Sequence, residues 1–215
     1  MIKYYLMLNC LLCSVAGAQE LNMPVRLIHY VFDSFSKGKV QVKSGIISEQ
    51  VLNYNMLTNE MVFDDGGRLL AIANPADVDT IFIQGRKFIP VNNKFYEVLA
   101  NNTTPLLMEF TCKIEEPAVS VGYGNASTTT NTTSYTSLVG TGAVYRIKLP
   151  DDFKLITGYI FWIRKDGKYQ KAGNAKQVIN IFPEKKELIN GFIKKNHTNF
   201  SKRGDVILLV QQIQQ

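Results

Sequence analysis

Between Pro24 and Glu116 the chain repeats one pattern, in which short stretches of alternating apolar and polar residues are separated by turn residues. The pairs Gln84-Gly85, Asn92-Asn93 and Asp65-Gly66 mark three of these turns, and Asn and Gly tolerate the positive φ angles that tight hairpins need. No stretch of helical periodicity separates the strands. The pattern predicts an antiparallel β meander that curls into a sandwich or a partly open barrel.

From residue 173 onward the period changes from two to about 3.6. Asn174 is placed to cap one helix, Pro183 to begin a second and Ser201 to cap a third. None is long enough to be stable alone. We therefore expect an α+β fold, in which a small C-terminal segment of about three helices (173–215) docks on a β-rich domain (19–172).

A run of small and hydroxyl residues, "SVGYGNASTTTNTTSYTSLVGTG", interrupts the strand pattern without a single charge. Alternation resumes at Ala143–Leu149, so we interpret residues 117–142 as a long, mobile surface loop within the β-rich domain. Connections of this length without structure of their own are usually functional or disordered. Tyr123 and Tyr135 lie in this loop, and no periodicity assigns them to a core.

The N-terminus, residues 1–18, has the pattern of a secretory signal peptide, with Lys3, a short apolar stretch and small residues at Ala16 and Ala18. We expect cleavage after Ala18 and an exported chain, periplasmic or associated with the cell surface. No later segment approaches the length of a transmembrane helix. A lipoprotein is the alternative, because Cys10 and Cys13 lie in this segment. Cys112 is then the one cysteine of the mature chain.

Few residues point to catalysis. The two histidines, His29 and His197, are too few for a zinc site with nitrogen or sulfur ligands, and each is interpreted as an ordinary surface or partly buried residue. Alternation places Cys112 on an apolar strand face, where an inert thiol is expected. We expect no cofactor and no metal. The pairs Asp64-Asp65 and Asp151-Asp152 are typical of turns; carboxylates combined from these separate strands would be the basis of a hydrolase.

Aromatic residues are the better candidates for binding. Tyr159, Trp162 and Tyr169 fall in one predicted hairpin, and Tyr123 and Tyr135 fall in the loop. Flat aromatic side chains near hydroxyls and amides suit a groove for a sugar or a peptide. Packing in a core is the alternative for Trp162.

Charge is unevenly distributed along the chain. Residues 19–143 contain 9 Lys+Arg and 12 Asp+Glu, whereas residues 144–215 contain 14 and 6. The candidate anion-binding residues in this basic half are Lys185, Lys186, Lys194 and Lys195. Their partner would be an anionic envelope component or another envelope protein, although the solvated faces of short amphipathic helices are the preferred explanation. No nucleic-acid motif is visible, and no nucleic acid is expected.

Several phrases together cover most of the mature chain: "VLNYNMLTNEMVF", "DVDTIFIQGRKFIPVNNKFYEVL", "YRIKLPDDF" and "NIFPEKKELINGFIKKNHTNFSKRGDVILLVQQI". In these the chain resembles uncharacterised exported proteins, periplasmic or of the cell envelope, from Bacteroidetes bacteria. The resemblance implies a bacterial envelope protein and no particular chemistry. With the residues above it favours non-enzymatic binding of a ligand or partner, or a role in assembly, over the periplasmic hydrolase.

Overall fold

The computed structural model describes residues 28–115, 119–121, 125–127, 145 and 154–215. Twelve strands and three α-helices follow one another along the described chain. The strands are β1 (Ser36–Val42), β2 (Ile47–Asn55), β3 (Glu60–Asp65), β4 (Arg68–Ala71), β5 (Val78–Ile83), β6 (Arg86–Val91), β7 (Lys94–Ala100), β8 (Leu106–Glu115), β9 (Val119–Val121), β10 (Asn125–Ser127), β11 (Lys154–Lys165) and β12 (Lys168–Lys171). The helices are α1 (Ala175–Ile181), α2 (Lys186–Asn196) and α3 (Arg203–Ile213), with short 3-10 turns at Pro75–Asp77 and Pro183–Lys185.

Ten strands form one antiparallel sheet in the order β12-β11-β8-β7-β6-β5-β1-β2-β3-β4, which does not close into a barrel. The predicted α+β class with a β meander is confirmed. One connection departs from a simple meander, and the sequence did not indicate it: β5 pairs with β1 and not with β4. The connection from β4 to β5 therefore passes three strands.

This return requires the sheet to curl. Ala71 and Val78 are seven residues apart, so the connecting chain can reach at most about 24 Å. In a flat sheet the two ends would be separated by about 19 Å across the strands and about 23 Å along them, or roughly 30 Å in all. The rings of Tyr54 on β2 and Phe110 on β8 lie 5.5 Å apart, although four strands separate β2 from β8. The sheet is therefore strongly curled, with its inner face around the core.

The three helices pack on this inner face. Buried side chains from the sheet and from all three helices belong to one apolar cluster. Because side chains alternate along a strand, neighbouring residues lie on opposite faces of the sheet. Phe161 of β11 is 1% exposed and belongs to the inner cluster, whereas Trp162 belongs to a separate cluster on the outer face. The helical contributions are Val178 and Ile181 of α1, Ile189 of α2, and Val206, Leu209, Val210 and Ile213 of α3.

The hairpin turns have the backbone conformations that their residues predict. Asn92 and Asn93 have φ angles of 49° and 63°, and Asp166 and Gly167 have 52° and 74°. All four therefore occupy the left-handed region that two-residue hairpins require.

The helix starts agree less well. The Asn174 side chain caps α1 by accepting a hydrogen bond from the Gln177 backbone amide at 2.9 Å. The expectation that Ser201 caps the third helix is wrong, because α3 begins one residue later, with Lys202 at the N-cap and no side-chain cap. Asp205 in its first turn instead accepts the Asn199 amide at 2.8 Å. This contact fixes the loop that precedes the helix.

Residues 28–32 extend the sheet beyond β1. The amide side chain of buried Asn53 accepts from the Phe32 backbone amide at 3.2 Å and donates to the Phe32 carbonyl at 2.8 Å, as a neighbouring peptide group would. His29, in the same segment, is 1% exposed. The interpretation of His29 as a surface or partly buried residue is therefore wrong, since the segment packs against β2.

Within the predicted loop, β9 and β10 pair as a small antiparallel hairpin. Tyr145 is also described: its hydroxyl donates to Glu60 at 3.1 Å, and its carbonyl accepts from the Tyr30 hydroxyl at 3.0 Å. The remaining residues of 117–142 lie outside the described residues, as do residues 1–27 with the predicted signal peptide. In the part that is described, no helix has the length and hydrophobicity to cross a bilayer.

Candidate binding surface

The aromatic residues of the β11–β12 hairpin lie on two different faces. Trp162 and Tyr169 share the outer face, because Trp162 is opposite Lys171 and Tyr169 is opposite Arg164 in the register. Tyr159 lies on the inner side, where its hydroxyl donates to the Ser201 carbonyl in the loop between α2 and α3. The structure thus brings two of the five candidate aromatics together. Tyr123 and Tyr135 fall outside the described residues.

Trp162 is the centre of what we call the tryptophan patch. The patch consists of Tyr96, Glu109, Trp162 and Tyr169 with the cations Lys94, Arg164 and Lys171. The Trp162 and Tyr96 rings are stacked with centroids 6.0 Å apart, and the Lys171 ammonium lies 5.6 Å from the Trp162 ring. The Arg164 guanidinium lies 5.8 Å from the Tyr169 ring. Two half-buried aromatic rings and two cations therefore lie side by side on one sheet face.

Glu109 holds the patch together. Its carboxylate is 6% exposed and accepts from Lys94 Nζ at 2.7 Å and from Trp162 Nε1 at 3.0 Å. Burial, and secondly the negative charge of Glu109, raise the pKa of Tyr96 well above its ordinary value. The tyrosine therefore stays neutral, and the indole has its polar atom satisfied by the protein. A ligand could therefore contact the exposed part of the rings and accept hydrogen bonds from the N–H groups of Lys94, Arg164 and Lys171.

The candidate anion-binding lysines do not share one surface. Lys185 lies in the 3-10 turn before α2, and its ammonium donates to the Ile213 carbonyl at the end of α3. On α2, a rotation of about 100° per residue places Lys194 about 80° and Lys195 about 180° from Lys186 around the axis. Within the described residues, Lys185 thus has a structural contact, whereas Lys186, Lys194 and Lys195 are exposed and spread around the helix.

The residues considered for catalysis have structural roles where they are described. Asp64 accepts the Gly67 amide at 2.6 Å, and Asp65 forms an ion pair with Arg68 at 2.9 Å, which is turn chemistry. Asp151 and Asp152 lie outside the described residues. Cys112 is half-buried, and burial raises the pKa of its thiol to about 11. Across the described ranges, no three His, Cys, Asp or Glu side chains are grouped to hold a metal ion.

Sequence reasoning missed a charged cluster on the inner face. Glu97 is 1% exposed and accepts two hydrogen bonds from Arg86, at 2.9 and 2.5 Å, and one from Arg203 at 2.6 Å. The Arg86 guanidinium also lies 4.9–5.5 Å from three aromatic rings, those of Phe32, Phe88 and Phe110. The cluster joins the start of α3 to β6 and β7. The sequence did indicate that Glu97 faces the core, because it lies two residues after Phe95 in β7 and alternate side chains of a strand share a face.

In comparisons with known proteins, no protein-family model, curated protein or solved structure matches this chain.

Proposed function

We propose that this protein is a non-enzymatic binding protein of the bacterial cell envelope, and that the tryptophan patch is the surface on which it binds a saccharide. The observation that supports the proposal is Trp162, a partly exposed indole held in a fixed orientation by Tyr96 and Glu109. Because the ring is already oriented, a ligand that stacks on it does not have to order it. The proposed role requires no reacting group.

The chemistry of the patch favours a sugar over an apolar ligand. A sugar ring presents an apolar CH face, which suits an aromatic ring, and hydroxyls at its rim, which need hydrogen-bond partners. Lys94, Arg164 and Lys171 can donate to such hydroxyls, whereas the buried Glu109 carboxylate keeps Lys94 and Trp162 in place. Peptides remain an outcome of the test, because they combine apolar and polar groups in a similar way.

Trp162 makes the test direct, because it is the one tryptophan of the sequence. Selective excitation of tryptophan therefore reports on the patch alone. We expect soluble saccharide fragments of the bacterial envelope to shift or quench this emission in a saturable way. Peptide fragments of the same envelope serve as the competing ligand class.

Variants measured by calorimetry separate the patch from other surfaces. Trp162→Ala should abolish saccharide binding, and Trp162→Phe should weaken it while retaining some affinity. Tyr159→Phe is the matched control, because Tyr159 lies on the other side of the sheet. Unchanged saccharide binding by Trp162→Ala would place the site elsewhere, and binding of peptides alone would correct the ligand class.

The envelope location is a separate part of the proposal, supported by the pattern of residues 1–18. Expressed in a Gram-negative host, the chain should appear in the periplasmic or surface fraction with an intact mass that begins at Gln19. A cytoplasmic chain that retains Met1 would contradict export, and a lipid on Cys10 or Cys13 would replace the soluble form by a lipoprotein.

A further inference from the structure

The turn between β1 and β2 presents two large apolar side chains to solvent. Ile46 is 67% exposed and Ile47 is 60% exposed; we call this pair the isoleucine tip. Turns are usually built from Gly, Asn, Asp and Ser, and this one contains Ser44 and Gly45 but ends in the two isoleucines. Adjacent exposed apolar residues of this size indicate a contact surface more than single scattered ones do.

Backbone hydrogen bonds hold the tip rigidly. The amide of Val42 donates to the Ile46 carbonyl at 3.0 Å, and that of Gly45 donates to the Val42 carbonyl at 2.9 Å. The Lys43 amide donates to the Asp77 carbonyl at 2.9 Å, which fixes the tip to the 3-10 turn before β5. The backbone that carries the isoleucines is therefore already ordered, so binding does not have to order it.

Exposed apolar residues and lysines continue from the tip along the outer face of the sheet. Phe82 of β5 is 42% exposed and stands between Lys39 of β1 and Lys87 of β6 in the register. Val51 of β2 is 36% exposed and stands opposite Lys37. We call these five residues the lysine-flanked face.

The lysines of this region are free to bind an anion. None of Lys37, Lys39, Lys43 and Lys87 forms a salt bridge with a carboxylate in the described part of the chain. The carboxylate nearest in the register is Glu49, opposite Lys39. Asp77 and Asp79, at the start of β5, lie close to Lys43. The excess of positive charge therefore lies on the lysine-flanked face, where three lysines stand against Glu49. This excess differs from the mildly acidic composition of residues 19–143.

We propose that the isoleucine tip and the lysine-flanked face dock together on an anionic lipid bilayer. Ile46 and Ile47 enter the boundary between headgroups and acyl chains, and the lysines contact lipid phosphates. The spacing fits this arrangement: Lys39 and Phe82 lie two residues below Ile47, about 7 Å along the strands. A headgroup layer is about 5–8 Å thick on each side of the hydrocarbon core.

A bilayer suits this surface better than a protein partner. A stable protein interface buries about 800 Å² and about 20–30 residues on each side, whereas the isoleucine tip and the lysine-flanked face together comprise seven residues. Shallow insertion of apolar side chains combined with several lysines is sufficient for reversible attachment to anionic membranes. This surface is separate from the tryptophan patch, so the proposal does not depend on saccharide binding.

The test is flotation of the full chain with vesicles of phosphatidylcholine alone and of phosphatidylcholine mixed with phosphatidylglycerol. We expect binding to the anionic vesicles that decreases as salt is raised. Ile46→Ser combined with Ile47→Ser should lower the partition coefficient at least about tenfold. Lys39→Glu combined with Lys87→Glu should lower it by a similar factor. All variants share one N-terminus, so any contribution of residues 1–27 cancels in the comparison.

Two controls decide between surfaces. Leu208→Ser removes an equally exposed apolar residue from α3, which covers the other face of the sheet, and should leave binding unchanged. Lys186→Glu with Lys195→Glu alters exposed lysines of α2 and should also have little effect. Equal binding by the wild type and the Ile46/Ile47 variant would overturn the proposal, as would absence of binding by the wild type. Loss with the Lys39/Lys87 variant but not with the isoleucine variant would also overturn it, because the lysines would then attach the chain to the vesicle surface without insertion of the tip.

Discussion

Replacement of Glu97 by Gln is expected to lower the free energy of unfolding by about 3 kcal/mol. Gln has almost the same shape as Glu, so packing is retained while the charge is lost. One of its two polar termini is an NH2 group, which would face the N–H groups of Arg86. The Arg86 guanidinium is wedged between three aromatic rings, so it cannot easily turn to water. A buried cation would then be left without its counter-ion.

The magnitude follows from the burial of the cluster. Removing one partner of a buried ion pair costs about 3–5 kcal/mol. The Arg86 side chain is 25% exposed and that of Arg203 is 41% exposed, which favours the lower end of this range. Arg203→Gln should cost only about 1 kcal/mol or less, because its charge is already partly solvated. For a chain of this size, 3 kcal/mol corresponds to a decrease in Tm of about 6–12 °C.

Urea unfolding followed by the fluorescence of Trp162 measures these differences, since Trp162 lies on the opposite face of the sheet. Glu49→Gln is the matched control: Glu49 is exposed on β2, and its replacement should change stability by less than about 0.5 kcal/mol. A double variant with Met at both Arg86 and Glu97 should be closer to the wild type than Glu97→Gln alone, because it leaves no unpaired charge at Arg86. The reasoning is refuted if Glu97→Gln lies within about 1 kcal/mol of the wild type at an unchanged m value.

Three further predictions concern backbone packing and titration. Gly38→Ala should destabilise the fold by about 1–3 kcal/mol in the same urea assay, because the added Cβ would lie 2.6 Å from the backbone oxygen of Phe82; a neutral result would show that β1 and β5 separate easily. Cys112 should react with a disulfide reagent at least about 100-fold more slowly in the native protein than in urea, since burial raises the pKa of its thiol to about 11 from 9.0; equal rates would show an accessible thiol. Burial, and secondly Glu60, raise the pKa of Tyr145 to about 12 from 10.0, so its contribution to stability is complete below pH 10 and is lost as the pH rises towards 12. Urea titrations across this range, with tyrosinate absorbance, check the direction, and stability that increases with pH would contradict it.

Where local chemistry decides the structure, the sequence was sufficient. Asn92-Asn93 and Asp166-Gly167 form hairpin turns because few other residues accept positive φ, and Asn174 caps α1 because its oxygen reaches the Gln177 amide. The alternation of β11 puts Tyr159 and Trp162 on opposite faces, and the grouping of both as candidate binding residues of one hairpin did not use it. Ser201 is not the cap because the helix begins at Arg203 after Lys202, and Asp205 in its first turn accepts the Asn199 amide instead.

The return of β5 to β1 and the Glu97 cluster depend on contacts between residues far apart in the chain. Arg203 is 106 positions from Glu97, and no local pattern relates the two. Only part of the tryptophan patch could be predicted, because some of its residues are close in sequence and others are not. Trp162 and Tyr169 share a hairpin, whereas Tyr96 and Glu109 come from β7 and β8 and reach them through the order of strands.

The pairing of β8 with β11 also bears on how this protein can change over evolution. Their ten paired positions run from Lys154 opposite Glu115 to Ile163 opposite Leu106, so this long hairpin is closed by the whole segment 116–153. The entropy of closing a loop grows only with the logarithm of its length, and doubling the segment would cost about 0.6 kcal/mol. Insertions and deletions that spare the β9–β10 hairpin should therefore be nearly neutral for folding, provided that Tyr145 still reaches Tyr30 and Glu60. Related chains can be expected to differ in length mainly here, while the strands on either side keep their register.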